Sequence, residues 1–316
     1  MNSEERKRAS VDLTLTYFGT YYSNWRLTKV LTNKKLLDDK YEFFSDIAVE
    51  TRQFDDTTGE ATIAQEIQYG LYFDSISQCV QYVEDLFALI QAARKPDFFI
   101  RNIVTYQAGT ITSAIKWFKP SAKTVADAFH YPYDLQFEDQ EHRAGYDLGV
   151  ANLIALVEDL IKFYKDYSFF YNQYKHGLAI AMRPLGNMWN KELIDKDKEE
   201  PKNPHFLVVY DNLNIKAAST KGTFRVRDGV FMPGFSDNVR PHIGKLEKEN
   251  NFLRFVFPAD LPDFKYDILI DTARKASMCI NTFIANYSRE IKPDEGGRKF
   301  QLPADYKRNT TYVCSM

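Results

Sequence analysis

The segment Asn172-Gln173-Tyr174-Lys175-His176-Gly177 places an amide, a phenol, an ammonium and an imidazole side by side. An imidazole can take and return a proton near neutral pH. Asn172 and His176 are one helical turn apart, so on a helix they would share a face. Asn172 could orient the imidazole or hold a phosphate oxygen. Lys175 could offset the charge of a bound anion or a developing phosphorane. An imidazole, an amide and a cation, with no metal ligands beside them, suit cleavage of RNA by its own 2′-hydroxyl. The same residues also read as a helix terminus. Lys and His are favoured at the negative end of the helix dipole, and Gly177 is a natural residue just past such an end.

The element that must position this cluster runs from Asp147 to Pro184. At about 100° per residue, Val150, Leu153, Ile154, Val157, Leu160, Ile161 and Tyr164 form one apolar arc. Glu158, Asp159, Lys162 and Asp166 form the opposite, solvent-facing arc. An unbroken helix puts Lys175 in the middle of the apolar arc, Asn172 at its edge and His176 just on the polar side. Two arrangements follow. Either the helix breaks before Lys175 and the cluster is a cap, or Lys175 and Asn172 face a shared polar cavity with His176 at its rim.

Around this helix the pattern predicts a mainly α-helical bundle in a single domain, residues 1–316. Val11–Leu31 carries Leu15, Phe18, Tyr22 and Trp25 at helical spacing, followed by a polar break from Asn33 to Lys40. Tyr41–Val49 reads as a short second helix. Thr57 and Glu60 make a capping box for a long helix that Pro96 stops. Gly70 inside it suggests a close helix–helix contact. Phe98–Phe118 reads as two short helices broken at Gly109, and Pro120–Tyr146 as a loop-rich connection.

Past the charged linker Asp195–Pro201 the character turns to β. Phe206–Tyr210 and Phe252–Phe257 read as strands, and Asp228-Gly229 as a hairpin turn. These place a small antiparallel insertion at about 204–258. A last helix begins after Pro262 and stops at Pro293. The tail, about 295–316, is Gly-, Lys- and Arg-rich and is expected to pack loosely.

A helical bundle whose penultimate long helix ends in NQYKHG, followed by a small β insertion and a last helix, resembles the HEPN superfamily of bacterial toxin and antiviral defence proteins. The resemblance implies a metal-independent endoribonuclease, with the motif from two subunits meeting in one cleft. His176 would be the general acid/base, Asn172 its orienter and Lys175 the electrostatic stabiliser. The family's Arg is absent from this motif, and Asn172 stands closer to His176 than that Arg stands to its histidine. Lys175 or Arg183 would therefore supply the charge. Other members of the superfamily have lost catalysis and serve as binding modules.

The remaining candidates carry less chemistry. His142 stands beside Glu138, Asp139 and Glu141, but a metal site on a bundle needs further ligands, so this is read as a solvated acidic loop. His130, His205 and His242 are assigned no role. Arg225 and Arg227 share one face of a predicted strand. They read as a solvated sheet face or as a positive rim for nucleic acid, with Phe224, Phe231 and Phe235 able to stack on bases.

Bulk composition sets the outer limits. The chain is 44% apolar and 27% charged, which fits a packed globular protein, and its net charge of −2 gives no global polycation for duplex binding. Cys79, Cys279 and Cys314 form no metal spacing and fit a reducing compartment. No leader or membrane span is read. The expectation is thus a cytoplasmic endoribonuclease acting on RNA as a homodimer, with no cofactor, no metal and no membrane partner. The alternative is a non-catalytic helical protein that recognises a partner protein or nucleotide.

Overall fold

The computed structural model describes residues 2–38, 60–133, 135, 137, 139–175, 180–181, 206–210, 253–258, 266–293, 298–305 and 307–314. These are mainly helical, with a small antiparallel sheet near the C-terminal end. No described helix is long and apolar enough to cross a membrane.

Helix α1 (Ser3–Thr20) opens on a capping box in which Asn2 and Glu5 satisfy each other's backbone N–H groups, each bond 2.8 Å. The helix expected over Val11–Leu31 is in fact two. A break at Tyr21–Asn24 separates α1 from α2 (Trp25–Asp38). Short polar side chains hold it open. Ser23 donates to Asn281 Oδ1 (2.7 Å), Ser277 donates to Asn24 Oδ1 (2.5 Å), and the Tyr82 hydroxyl donates to the Ser23 carbonyl. The polar break expected after Asn33 is instead helix. Asn33 is buried and donates to the Leu71 carbonyl (3.3 Å), Asp74 (2.9 Å) and Ser75 (3.0 Å).

Helix α3 (Glu60–Ala93) ends ahead of Pro96, as its sequence predicts. Among the described residues nothing stands within 4 Å of a Cβ built on Gly70, where a close helix–helix contact is expected. A 3-10 turn (Pro96–Phe98) leads into α4 (Phe99–Val104) and α5 (Ala108–Trp117). The break between these helices falls at Thr105–Gln107. Gly109 lies inside the first turn of α5.

The connection expected to be loop-rich contains α6 (Ala122–Phe129), started by a Ser121–Thr124 capping box, and the first turns of α7 (Gln140–Lys175). Asp139 initiates α7 by accepting from the Glu141 N–H at 2.8 Å. The segments Tyr41–Val49 and Asp228-Gly229, and the Thr57 cap, lie outside the described residues.

Strands β1 (Ile180–Ala181), β2 (Phe206–Tyr210) and β3 (Leu253–Pro258) form an antiparallel sheet in the order β1-β2-β3. Val208 pairs with Val256, and Ala181 with Val208. Helix α8 (Asp267–Ile291) ends before Pro293. The tail is not loose. It forms a hairpin of β4 (Arg298–Pro303) and β5 (Asn309–Cys314), in which Phe300 faces Tyr312 across the ladder. Phe300 and Leu302 point to one face by strand alternation, and both are fully buried.

Two compact units make up the chain. One comprises residues 1–29, 78–165 and 270–316. Its centre is aromatic. Phe18 meets Phe99 and Tyr287 at ring distances of 5.2 and 6.1 Å, and Phe283 stacks on Tyr287 at 5.6 Å. The hairpin is bound to this unit from two sides. Asn152 of α7 donates to the Pro303 and Ala304 carbonyls, and Asn286 of α8 bonds both backbone groups of Gln301. The second unit comprises residues 30–77 and 166–269. In it Tyr266 stacks edge-on against Tyr72, donates to the Val30 carbonyl at 3.0 Å and bonds Ser75.

Candidate functional site

Helix α7 continues through the first half of the polar cluster. It buries Tyr164, Tyr167 and Tyr171 along one side, carries Asn172 in its last turn and closes on Lys175. The helix therefore does not break before Lys175. Lys175 is nevertheless exposed and does not face a cavity among the apolar residues of its arc. As the last helical residue it is placed where the negative end of the dipole favours a cation. His176 follows directly, and it lies outside the described residues, as do Arg183, Arg225 and Arg227. Of the expected site residues, Asn172 and Lys175 are thus placed on one helix, three positions apart in its last turn.

Three polar constellations lie elsewhere. Arg26 of α2 spreads its guanidinium over α3. Its Nε donates to Asp85 Oδ2 (2.5 Å) and its Nη2 to Asp85 Oδ1 (3.2 Å). Its Nη1 donates to the side-chain oxygens of Gln78 (3.0 Å) and Gln81 (2.5 Å). A fork so fully occupied positions helices and does not bind an incoming anion. No local sequence signal marks it, because Arg26 and Asp85 are distant in the chain.

His130 caps α6 in the left-handed region, at φ 57°. Its Nδ1 is 3.0 Å from Glu290 Oε2, and its ring lies against Tyr287 at 4.7 Å and Phe283 at 5.7 Å. The Tyr287 hydroxyl is buried and has no hydrogen-bond partner among the described residues. Burial, with Glu290 and Asp97 adding to it, pushes this phenol up to about 12. The imidazole is only 14% exposed, so it is packed as a core residue bridging α6 and α8.

His142 bonds Asp139 through Nδ1 at 2.7 Å on the exposed first turn of α7. The backbone N–H of Glu141, and then His142 itself, hold the Asp139 carboxyl below its usual range. This is a helix start. Among the described residues no group of His, Cys, Asp and Glu is arranged to hold a metal ion.

The chain matches no protein-family model, and comparison with curated proteins and with solved structures found no match.

Proposed function

We propose that the chain is a HEPN-like, metal-independent endoribonuclease of a bacterial defence or toxin system. The observation that carries this reading is the end of α7, where exposed Lys175 closes the helix immediately before His176. A cation and a general acid/base are adjacent there, with Asn172 one turn back on the same helix. His176 takes the proton of a ribose 2′-hydroxyl. The 2′-oxygen then attacks phosphorus, the bond from phosphorus to the 5′-oxygen breaks, and the leaving 5′-oxygen receives a proton. A 2′,3′-cyclic phosphate remains. Lys175 offsets charge on the phosphorane, and Arg183, Arg225 and Arg227 contact the flanking phosphates. The active form is a homodimer in the cytoplasm, a setting that fits the buried thiols of Cys79 and Cys279.

Incubation of the protein with RNA in EDTA, beside His176→Ala, tests the assignment. Loss of a general acid/base lowers cleavage by about 10²- to 10⁴-fold. Equal activity in the two proteins overturns it.

Exposed aromatic side chains favour the second reading, a non-catalytic module that recognises a partner protein or nucleotide. Tyr22 and Trp25 flank the α1–α2 break with more than half of their surface in solvent. That reading predicts no cleavage by either protein.

A further inference from the structure

Residues 94–123 carry six cations and one carboxylate, Asp97, a surplus of five positive charges in a chain whose net charge is −2. Arg94, Lys95, Arg101, Lys116, Lys119 and Lys123 are all exposed, and none has an ion-pair partner among the described residues. Three aromatic rings stand in the same stretch with large solvent exposure: Phe98 (51%), Tyr106 (49%) and Trp117 (80%). The Arg101 guanidinium sits over the Phe98 ring at 6.0 Å. The carboxylates whose charge acts on Tyr106, Asp85 and Glu84, are engaged by Arg26 and by the Tyr164 hydroxyl.

The scaffold beneath these side chains is fixed. Helix α4 turns Phe99 inward against Phe18 and Tyr287. Helix α5 buries Ile111 and Ile115, bonds Thr112 to Tyr164 at 2.9 Å, and is followed by Phe118 against Phe87 at 5.3 Å. Phe99 of α4 and Ile111 and Ile115 of α5 are thereby used in the core. On α5 the helical phase puts Lys116 and Trp117 well away from Ile111 and Ile115. What reaches solvent is a series of single rings and the Val104 side chain, separated by polar residues and flanked by cations.

We propose that this surface, built from the 3-10 turn, α4, α5 and the connection to α6, binds single-stranded nucleic acid. Unpaired bases stack on Trp117, Tyr106 and Phe98, and the cations take the phosphates, the combination that holds a single strand without reading its sequence. An anionic bilayer shares the charge requirement. It also needs a continuous apolar band to insert, whereas α4 and α5 bury Phe99, Ile111 and Ile115 and leave Val104 as their one large exposed aliphatic side chain. The inference goes beyond ribonuclease activity, since the surface binds whether or not His176 cleaves.

The test uses the full chain carrying His176→Ala, so that cleavage cannot consume the probe. Fluorescein-labelled single-stranded RNA and DNA of mixed sequence are titrated by anisotropy across a salt series. Binding that weakens steeply with salt is expected. Trp117→Ala should weaken it about tenfold, the loss of one stacked base. Lys116→Gln with Lys119→Gln should flatten the logarithmic salt dependence by about 1.4, roughly 0.7 for each single-strand phosphate contact. Circular dichroism confirms that these exposed substitutions leave the fold intact. Failure to bind either strand at low salt overturns the proposal, as does unchanged affinity in both variants. Sedimentation with phosphatidylserine-containing vesicles is the third arm. Recruitment that depends on Trp117, without strand binding, assigns the surface to membranes instead.

Discussion

Gly149 of α7 lies directly beneath Leu302 of β4, and a Cβ built on the glycine would stand 2.8 Å from the Leu302 Cβ. The hairpin can seat on the helix only because that Cβ is missing. Gly149→Ala gains about 1 kcal/mol of helix propensity and meets an overpacking penalty of about 1–3 kcal/mol. It should lose stability overall. One turn earlier, among the described residues, Gly145 has only the Tyr312 hydroxyl near its Cβ position, at 3.4 Å, and Gly70 has nothing within 4 Å. Gly145→Ala should be neutral to stabilising, and Gly70→Ala should gain about 1 kcal/mol. Urea midpoints should therefore rank Gly70→Ala highest and Gly149→Ala lowest. Equal midpoints for the two α7 variants would remove the close approach as an explanation.

The left-handed backbone of His130 separates its conformational cost from its packing. His130→Ala and His130→Gly both lose the contacts with Glu290, Tyr287 and Phe283. Only alanine then keeps a Cβ in the left-handed region, at about 1–2 kcal/mol. The glycine variant should be the more stable of the two by about 1 kcal/mol in chemical denaturation. An alanine variant that matches it would contradict the geometry at φ 57°.

The same residue shows what the sequence could and could not reveal. Elements defined by local signals were legible: α3 and α8 stop ahead of their prolines, and Phe206–Tyr210 pairs with Leu253–Pro258 as runs rich in β-branched and aromatic residues should. Elements defined by distant partners were not. The α1–α2 break depends on Tyr82, Ser277 and Asn281, and His130 depends on Glu290. The Gly- and Lys-rich start of the tail hid a hairpin whose buried side chains include Phe300, Leu302 and Tyr312. Two short signals are local in the chain: the Ser121–Thr124 box ahead of α6, and the surplus of cations interleaved with Phe98, Tyr106 and Trp117 between Arg94 and Lys123. Within the candidate site, helix phase alone put Lys175 among apolar neighbours. Its place at the helix end puts it in solvent instead.

Arg26 should be more than a surface cation, because it is bonded to Asp85 through two atoms while also satisfying Gln78 and Gln81. Both charged side chains are about one-quarter exposed. Arg26→Ala leaves three acceptors without their donor and should cost about 2 kcal/mol. Arg26→Lys cannot reproduce the planar fork and should recover only part of that. In a double-mutant cycle with Asp85→Asn the coupling should reach about 1 kcal/mol. A coupling near zero would reduce the pair to an ordinary surface contact.

Buried phenols and thiols set the alkaline limit of the fold. Burial raises the pKa of Tyr21, Tyr82 and Tyr131, and that of the fully buried thiols of Cys79 and Cys279, while Tyr287 is pushed up to about 12. These are acids whose folded values exceed their unfolded ones, about 10 for tyrosine and 8.5 for cysteine. Below the unfolded values both states keep their protons and the stability is undiminished. As pH rises past them, only the unfolded chain releases protons, so stability falls between about pH 9 and 12. Tyrosinate absorbance should therefore rise in two stages, the second coinciding with loss of helical circular dichroism. Iodoacetamide at about pH 8 should leave Cys79 and Cys279 unmodified until urea is added, since the thiolate is the reactive form. Alkylation of either cysteine while the helical signal is intact would place that thiol outside the core.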